Sequence, residues 1–263
     1  MWSRRELVQR LVGRELKGRY KGSALGVLWS VLNPLFMAAI YALFFSLIAG
    51  VGGKAAVPMI VIGVFAWTFT VTSINGGLMC ITGNANLVKK VRFPRVLLPV
   101  SVTASGLVDF LISMVIQFII VGGLLMSKGD FISGQVWMLP LVLVLHTVMN
   151  LSMCMMVGAC NVYFRDTQHL VGVGVSAWFF LSPVMYDLAF IGTRVGEAQA
   201  WVVDAFLLNP LALVITAYRA VILPDVYFPI NAWSIGGLVI MGVMAVVSWL
   251  VFHRLERDFA DFV

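Results

Sequence analysis

Residues Leu97–Met126 have the sequence LLPVSVTASGLVDFLISMVIQFIIVGGLLM, in which Asp109 is the one ionisable side chain. About 20 consecutive apolar residues are enough for a helix to cross the roughly 30 Å hydrocarbon core of a bilayer. Because lipid offers no hydrogen bonds to the backbone, a segment that crosses it alone has to be an α-helix. This stretch therefore predicts a transmembrane helix, and with it an integral membrane protein.

The rest of the chain repeats this apolar pattern. Of its 263 residues, 61% are hydrophobic and only 11% are charged, whereas a soluble domain carries about 25% charged residues. The composition leaves room for one membrane domain and for no added soluble catalytic domain. We predict an all-α membrane protein with six transmembrane spans, at Val31–Val51, Pro58–Thr82, Leu97–Met126, Val136–Cys160, Leu170–Phe190 and Ala232–His253.

The segment before the first span differs in character. Residues Arg4–Lys21 predict an amphipathic helix, and its basic stripe consists of Arg10, Arg14, Lys17 and Lys21. A basic amphipathic helix beside a span lies on the anionic cytoplasmic leaflet. It acts either as an anchor alone or as part of a substrate entrance. We accordingly divide the chain into a cytoplasmic helix and entrance loop, residues 1–30, and a six-span domain, residues 31–263.

The distribution of basic residues sets the orientation. If the N-terminus is cytoplasmic, the inner segments hold 14 of the 18 Lys and Arg residues. Cytoplasmic loops of membrane proteins carry such an excess, so both termini are predicted to be cytoplasmic. The cations sit in short clusters between apolar runs, which fits membrane topology and argues against a nucleic-acid partner.

The stretch between the fifth and sixth predicted spans holds two shorter apolar segments, Trp201–Leu208 and Leu211–Leu223. The second is too short to cross a bilayer and carries Arg219, and Asn209-Pro210 precedes it. Short apolar runs of this kind are typical of re-entrant or interfacial segments. We predict a pair of short helices that dip into the outer leaflet before the last span.

Asp109 is the acidic residue deep inside a predicted span. A carboxylate in a membrane is costly, and by default it suggests a functional site. The alternatives are that Asp109 is protonated, or that it forms a hydrogen bond between helices with a partner such as Gln117. The three histidines show no metal-ligand spacing, so no metal site is expected.

Aromatic residues are dense in the first and fifth predicted spans. Aromatic faces can stack on sugar rings, so these side chains are candidates to line a transport channel; packing against other helices or against lipid is the alternative. The candidate channel aromatics are Phe36, Tyr41, Phe44, Trp178, Phe179 and Tyr186.

The cytoplasmic loop Asn84–Arg95 mixes cations with apolar residues. Topology alone requires only the charges, so the interleaved apolar residues suggest a short helix that docks into a partner's groove. The candidate docking residues are Leu87, Val88, Lys89, Lys90, Arg92, Phe93 and Arg95. The sequence contains no G-x-x-x-x-G-K-[ST] motif, so an ATP-driven function would need a separate ATPase subunit that binds ATP and Mg²⁺.

Three segments taken together resemble one known family. They are RELKGRYKGSALGVLWSVLNPL at residues 14–35, LVKKVRFPRVLLP at residues 87–99 and NVYFRD at residues 161–166. The chain resembles the permease subunits of ABC-2 type polysaccharide exporters, in particular the O-antigen and wall teichoic acid export permeases. The similarity runs in order over nearly the whole chain.

The resemblance implies an assembly and a substrate. Two copies of the chain would combine with two nucleotide-binding ATPase subunits in the bacterial cytoplasmic membrane, and they would export a glycan carried on a polyprenyl diphosphate lipid. The Lys89–Arg95 segment would couple to the ATPase, and the short outer helices would form an external gate. The substrate entrance would involve Arg19, Tyr20, Lys21, Leu25, Gly26 and Trp29.

Two rival functions fit the same sequence less well. The first is an ABC-2 type exporter of drugs or small lipids, which would share the architecture. The second is an integral membrane enzyme that acts on polyprenyl-linked sugars. An enzyme would need clustered acidic or histidine residues at one membrane face, and the sequence offers few, so we expect no catalytic site in this chain.

Overall fold

The computed structural model describes residues 4–48, 56–90, 93–194, 201–224 and 226–263. These residues form helices and connecting turns without a β-strand, which confirms the all-α membrane fold. The long helices are α2 (Trp29–Ile48), α3 (Ala56–Met79), α5 (Leu97–Met126), α6 (Leu139–Tyr163) and α11 (Ala232–Leu255). The shorter helices are α1 (Arg4–Tyr20), α4 (Ala85–Lys90), α7 (Thr167–Phe180), α8 (Leu188–Gly192), α9 (Trp201–Ala205), α10 (Pro210–Ile222) and α12 (Phe259–Phe262).

Five helical segments in the described residues are long and apolar enough to cross a membrane. They contain α2, α3, α5, α6 and α11, and they correspond to five of the six predicted spans. Their ends differ from the prediction by a few residues. The predicted end of the first span, at Val51, lies outside the described residues.

The predicted fifth span, Leu170–Phe190, is wrong in its extent. Helix α7 has 14 residues and ends at Phe180, which gives it a length of about 21 Å. The cause is Pro183, because proline lacks an N–H and disfavours helical geometry in the residue before it. Asn209 stabilises the break, since its Nδ2 donates to the Leu181 carbonyl at 3.0 Å and to Ser182 Oγ at 2.9 Å.

The chain nevertheless passes from one end of the bundle to the other in this region. Helices α6 and α11 end side by side, because the Tyr163 hydroxyl donates to the Leu255 carbonyl at 3.0 Å. The start of α11 lies at the opposite end, where Gly237 packs against Leu207. The segment between Tyr163 and Ala232 therefore reaches the far end, and α7 with its following turn provides the fifth pass.

Helix α3 lies at the centre of the bundle and packs against α2, α5, α6, α7 and α10. It approaches α6 closely through two glycines. A Cβ on Gly77 would lie 2.8 Å from Cys154 Cα, and one on Gly158 would lie 2.8 Å from the Gly77 carbonyl oxygen. Small residues of this kind let the backbones of membrane helices touch.

The predicted pair of short helices before the last span is present. Trp201–Leu208 and α10 meet at an angle of 102°. Asn209 forms the corner, where its side-chain oxygen accepts a hydrogen bond from the Leu211 N–H at 3.1 Å, and Pro210 occupies the first helical position. Helix α10 is almost wholly buried against α3, α6 and α11.

The amphipathic helix α1 packs under the bundle, chiefly against α5. Leu11 is buried in an apolar cluster that also contains Val88 of α4 and Phe252 and Phe259 from the end of the chain. The first and last helices therefore lie at the same end of the bundle, in agreement with the predicted placement of both termini on one side. That this side is cytoplasmic stays a prediction from the charges.

Cysteine labelling tests this orientation. Asn86 and Lys128 are exposed at opposite ends of the bundle, and the excess of cations at the Asn86 end places that end inside. In a background without Cys80, Cys154 and Cys160, we expect a membrane-impermeant maleimide to label Lys128→Cys in intact spheroplasts. Asn86→Cys should be labelled only after permeabilisation, and the reverse pattern would contradict the orientation.

Candidate functional site

A partly buried ion pair links α1 to the middle of the bundle. The Arg19 Nη1 atom donates to Asp109 Oδ2 at 2.8 Å, and Asp109 is 8% exposed. Arg19 is therefore the partner of the intramembrane acid, and the suggestion of Gln117 is wrong. Because a buried carboxylate without a counter-charge is strongly destabilising, the pair fixes the end of α1 against α5.

The predicted entrance loop is held at both of its ends by neighbouring turns of α5. Asp109 binds Arg19 before the loop, and Ser113 Oγ lies 3.0 Å from the Ser30 carbonyl oxygen after it. Between them, Gly22 and Gly26 have φ angles of 80° and 51°, which only glycine adopts readily. The loop is thus a tight turn at a defined place on the bundle.

A cavity of about 160 Å³ opens beside this ion pair, between α1, α2, α3 and α5. Three of the predicted entrance residues line it, namely Arg19, Tyr20 and Trp29. The other three, Lys21, Leu25 and Gly26, lie in the loop outside it. The sequence analysis did not identify the cavity's polar residues Ser30, Asn33, Thr68, Thr72 and Ser113. The sequence feature that could have indicated them is a polar side chain in or beside an otherwise apolar span.

The cavity combines a polar floor with aromatic walls. Asp109 Oδ1 is buried and has no hydrogen-bond partner among the described residues. Burial, followed by the nearby Asp109 carboxylate, raises the pKa of the Tyr20 hydroxyl, so that this group stays a neutral donor. An anion that takes both guanidinium nitrogens of Arg19 has to compete with Asp109, so the carboxylate limits which ligands can bind.

The loop between α3 and α5 contains the predicted short helix, α4, but its apolar residues pack within the chain. Val88 is 4% exposed and packs with Phe252 and Phe259. Leu87 and Phe93 pack partly against the same cluster, and Arg92 lies outside the described residues. The exposed surface of α4 is formed by Asn86, Lys89 and Lys90, so charge rather than apolar contact is what α4 offers to a partner.

The predicted channel aromatics lie in three separate places. Trp178 and Phe179 pack against Trp67, and Tyr41 packs against Phe179; the ring centroids are 5.2 Å apart for Trp67–Phe179 and 5.5 Å apart for Tyr41–Phe179. This group is internal packing between α2, α3 and α7. Phe36 and Phe44 instead lie on the exposed face of α2. Tyr186 lies near the end of the bundle opposite α1 and α12, which we call the outer end from the predicted orientation. Its hydroxyl donates to the Phe180 carbonyl at 2.8 Å.

Arg219 organises the outer end of the bundle. It is 3% exposed and donates to three backbone carbonyls, those of Met59 at 3.0 Å, Val184 at 3.1 Å and Tyr186 at 2.7 Å. These carbonyls belong to α3 and to the turn that follows α7. The sequence suggested only that Arg219 was one of the outer cations, and it gave no signal for this network.

A second polar contact in the interior links α3, α6 and α10. The His146 Nε2 atom lies 2.9 Å from Thr70 Oγ1, and its Nδ1 atom lies 3.4 Å from the Tyr218 hydroxyl. The rings of Phe69 and Phe110 surround the imidazole at 4.8 Å and 5.7 Å. His146 is therefore a structural residue that positions α10.

Comparison with known proteins places this arrangement in a family. Residues 6–223 match the ABC-2 type transporter family. The chain belongs to the ABC-2 type transporter family. This match covers α1 to α10, and therefore the ion pair, the cavity, α4 and Arg219.

Relatives of the ABC-2 chain extend the comparison to its full length. It is 31% identical over 268 residues to the O-antigen export system permease protein RfbA of Myxococcus xanthus, an alignment that covers 99% of this chain and 96% of the relative. It is 29% identical over 259 residues to a protein of the same name from Klebsiella pneumoniae, with 97% and 94% covered. The resemblance to ABC-2 type permeases, and to O-antigen export permeases in particular, is thereby confirmed.

A charge exchange tests the ion pair. We expect Asp109→Asn to lower the free energy of unfolding by about 2 kcal/mol, since a hydrogen bond between charged groups is lost in a largely buried place. The exchange of both residues, Arg19→Asp with Asp109→Arg, should restore most of it. Thermal unfolding of the purified protein in detergent measures both variants.

Lys21→Ala is the control for this pair, because it removes a neighbouring exposed cation without touching Asp109. It should leave the unfolding temperature unchanged. An exchanged pair as unstable as Asp109→Asn would contradict the role of the ion pair.

Two glycine substitutions test the outer end. A Cβ at Gly63 would lie 2.1 Å from the Val184 carbonyl oxygen, which Arg219 binds, whereas a Cβ at Gly172 would meet no atom within 4 Å. We expect Gly63→Ala to destabilise the protein by about 1–3 kcal/mol through overpacking. Gly172→Ala should be neutral or slightly stabilising, because alanine favours helix. Equal unfolding temperatures for the two variants would refute this account.

Proposed function

We propose that the chain is the membrane-spanning permease subunit of an ATP-driven exporter that moves a lipid-linked polysaccharide across the bacterial cytoplasmic membrane. The observation that carries the proposal is the similarity to O-antigen export permeases over 97–99% of this chain. An alignment of that extent includes both the inner cavity and the outer end around Arg219. A similarity confined to the helical framework would support the architecture but not a class of substrate.

The energy source lies in a separate subunit. The sequence has no P-loop, so ATP and Mg²⁺ bind to a partner ATPase that docks at the cytoplasmic end, on the surface that carries Lys89 and Lys90. In this assembly the permease carries force from the ATPase to the membrane helices. It needs no catalytic residues and no cofactor of its own.

The substrate's anionic head group enters at the inner cavity. The cavity adjoins α1 and the entrance loop, which carry many of the chain's cations, and Arg19 is one of its lining residues. Lys21 is exposed in the adjoining loop, and Leu25 and Trp29 present apolar surface beside it. A lipid diphosphate has both chemistries, a multiply charged head group and an apolar tail.

The polymer itself passes between two copies of the chain. A cavity of about 160 Å³ is far too small for a hydrated polysaccharide, so one bundle alone does not enclose a path. Helices α2 and α7 keep extensive apolar surface at the outside of the bundle, including Phe36 at 60% and Val173 at 73% exposure. We place the dimer axis beside these two helices, where the exposed aromatic residues of α2 would face the substrate.

Deletion of the gene tests the function. We expect the deletion strain to lose its surface polysaccharide and to accumulate the lipid-linked polymer on the cytoplasmic side, because synthesis continues while export stops. Immunoblots of intact cells and of spheroplast lysates measure the two pools. The wild-type gene should restore export.

Two outcomes would favour the rival functions. Unchanged surface polysaccharide combined with sensitivity to a drug or with an altered lipid composition would indicate an exporter of small molecules. Loss of the polymer in both pools would indicate an enzyme of its synthesis. Either result would overturn the proposal.

A further inference from the structure

The segment after α11 forms an unexpected contact with the predicted docking loop. Helix α12 follows α11 through a short turn, and Phe259 at its start is fully buried. The Phe259 ring packs against Phe252 with centroids 5.5 Å apart, and both side chains share an apolar cluster with Val88 of α4. Helix α12 is therefore built onto the back of α4.

The same helix reaches a second loop at this end of the bundle. The ring of Phe262 lies 4.7 Å from that of Tyr163, and Phe259 lies 6.2 Å from it. Tyr163 is the last residue of α6, and the turn that leads to α7 begins directly after it. Helix α12 thus packs between the α3–α5 loop and the α6–α7 loop, and it joins both of them to the end of α11.

A groove of about 600 Å³ runs between α4 and this final segment. One wall is formed by α4 and the turn after it, and the other by the residues between α11 and α12. The charged residues of the groove are four cations and one acid: Lys89, Lys90, Arg95, Arg257 and Glu256. A surface with this excess of positive charge is complementary to a partner that presents carboxylates.

We infer that α12 and its preceding turn form the ATPase docking surface together with α4, and that the groove receives an acidic element of the ATPase subunit. This inference rests on the proposed function. The positions of Phe259 and Phe262 explain how a force on the groove would spread, because α4, α6 and α11 all end at the same aromatic contacts. The region lies beyond residues 6–223, which match the family.

Charge reversal at Arg257 tests the inference. Arg257→Glu places a carboxylate in the groove, whereas Arg254→Glu makes the same change at an exposed position in α11 that does not line the groove. The ATPase subunit that co-purifies with the wild-type chain serves as the probe in detergent. We expect Arg257→Glu to raise the Kd for this subunit by at least about tenfold, since like charges across an interface are costly. Arg254→Glu should bind as the wild type does.

A second variant addresses the packing of α12. Phe259→Ala removes the ring that joins α12 to α4, and it should also weaken the complex, with less ATP hydrolysis per bound subunit. Because Arg257 is exposed, its reversal does not depend on whether Phe259→Ala folds. Wild-type affinity for Arg257→Glu would overturn the inference.

The outcomes separate this inference from the function on which it rests. If the wild-type chain retains no ATPase, the proposed function fails. If the wild type and Arg257→Glu retain the ATPase equally, only the groove assignment fails. Equal retention together with weaker binding of Arg257→Glu to vesicles of anionic phospholipid would assign the groove to the membrane surface instead.

Discussion

In a bilayer every backbone carbonyl and amide has to form a hydrogen bond within the protein. The outer half of the bundle is arranged around the end of α7, where the helix cannot supply these hydrogen bonds. Pro183 ends α7 before it has crossed, and the turn that follows leaves carbonyls without helical partners. The Arg219 guanidinium satisfies two of them, at Val184 and Tyr186, and also binds Met59 at the start of α3. A single buried cation thereby determines where α3, α10 and the turn after α7 meet.

In the inner half of the bundle, the buried charged group is a carboxylate that itself needs a counter-charge. Asp109 would be costly alone in the bundle, and Arg19 reaches it from a helix that does not enter the membrane as a span. The pair therefore holds a peripheral helix in place while keeping a charged group at the wall of a cavity. The two buried charges of the described residues have different uses: Arg219 donates to backbone carbonyls, and Asp109 holds the side chain of Arg19 at the cavity.

Sequence patterns predicted the helices but not which residues of different helices contact one another. Apolar length predicted five of the crossing helices and the corner at Asn209-Pro210, because these depend on local composition. Apolar length did not predict that α7 ends early, because the residues around Pro183 are mostly apolar and the length criterion takes no account of a single proline. The contacts that build the site join residues 90 positions apart for Arg19–Asp109 and 160 apart for Arg219–Met59, and periodicity indicates which face is buried without naming what covers it. Val88 and Phe93 show the same limit, since apolar residues in a loop suit a partner's surface and the chain's own core equally well.

The glycine contact between α3 and α6 has a mechanical consequence. Where two backbones touch directly, at Gly77 and Gly158, no long side chain is present to change rotamer and let one helix slide past the other. These two helices then move as one rigid pair. Any change of shape has to occur at the interfaces between this pair and the neighbouring helices. Among the described residues, helices α2 and α7 lack such backbone contacts. In α7, Gly172 and Gly174 have open space around them. A transport cycle in this protein would move α2 and α7 against the fixed pair of α3 and α6.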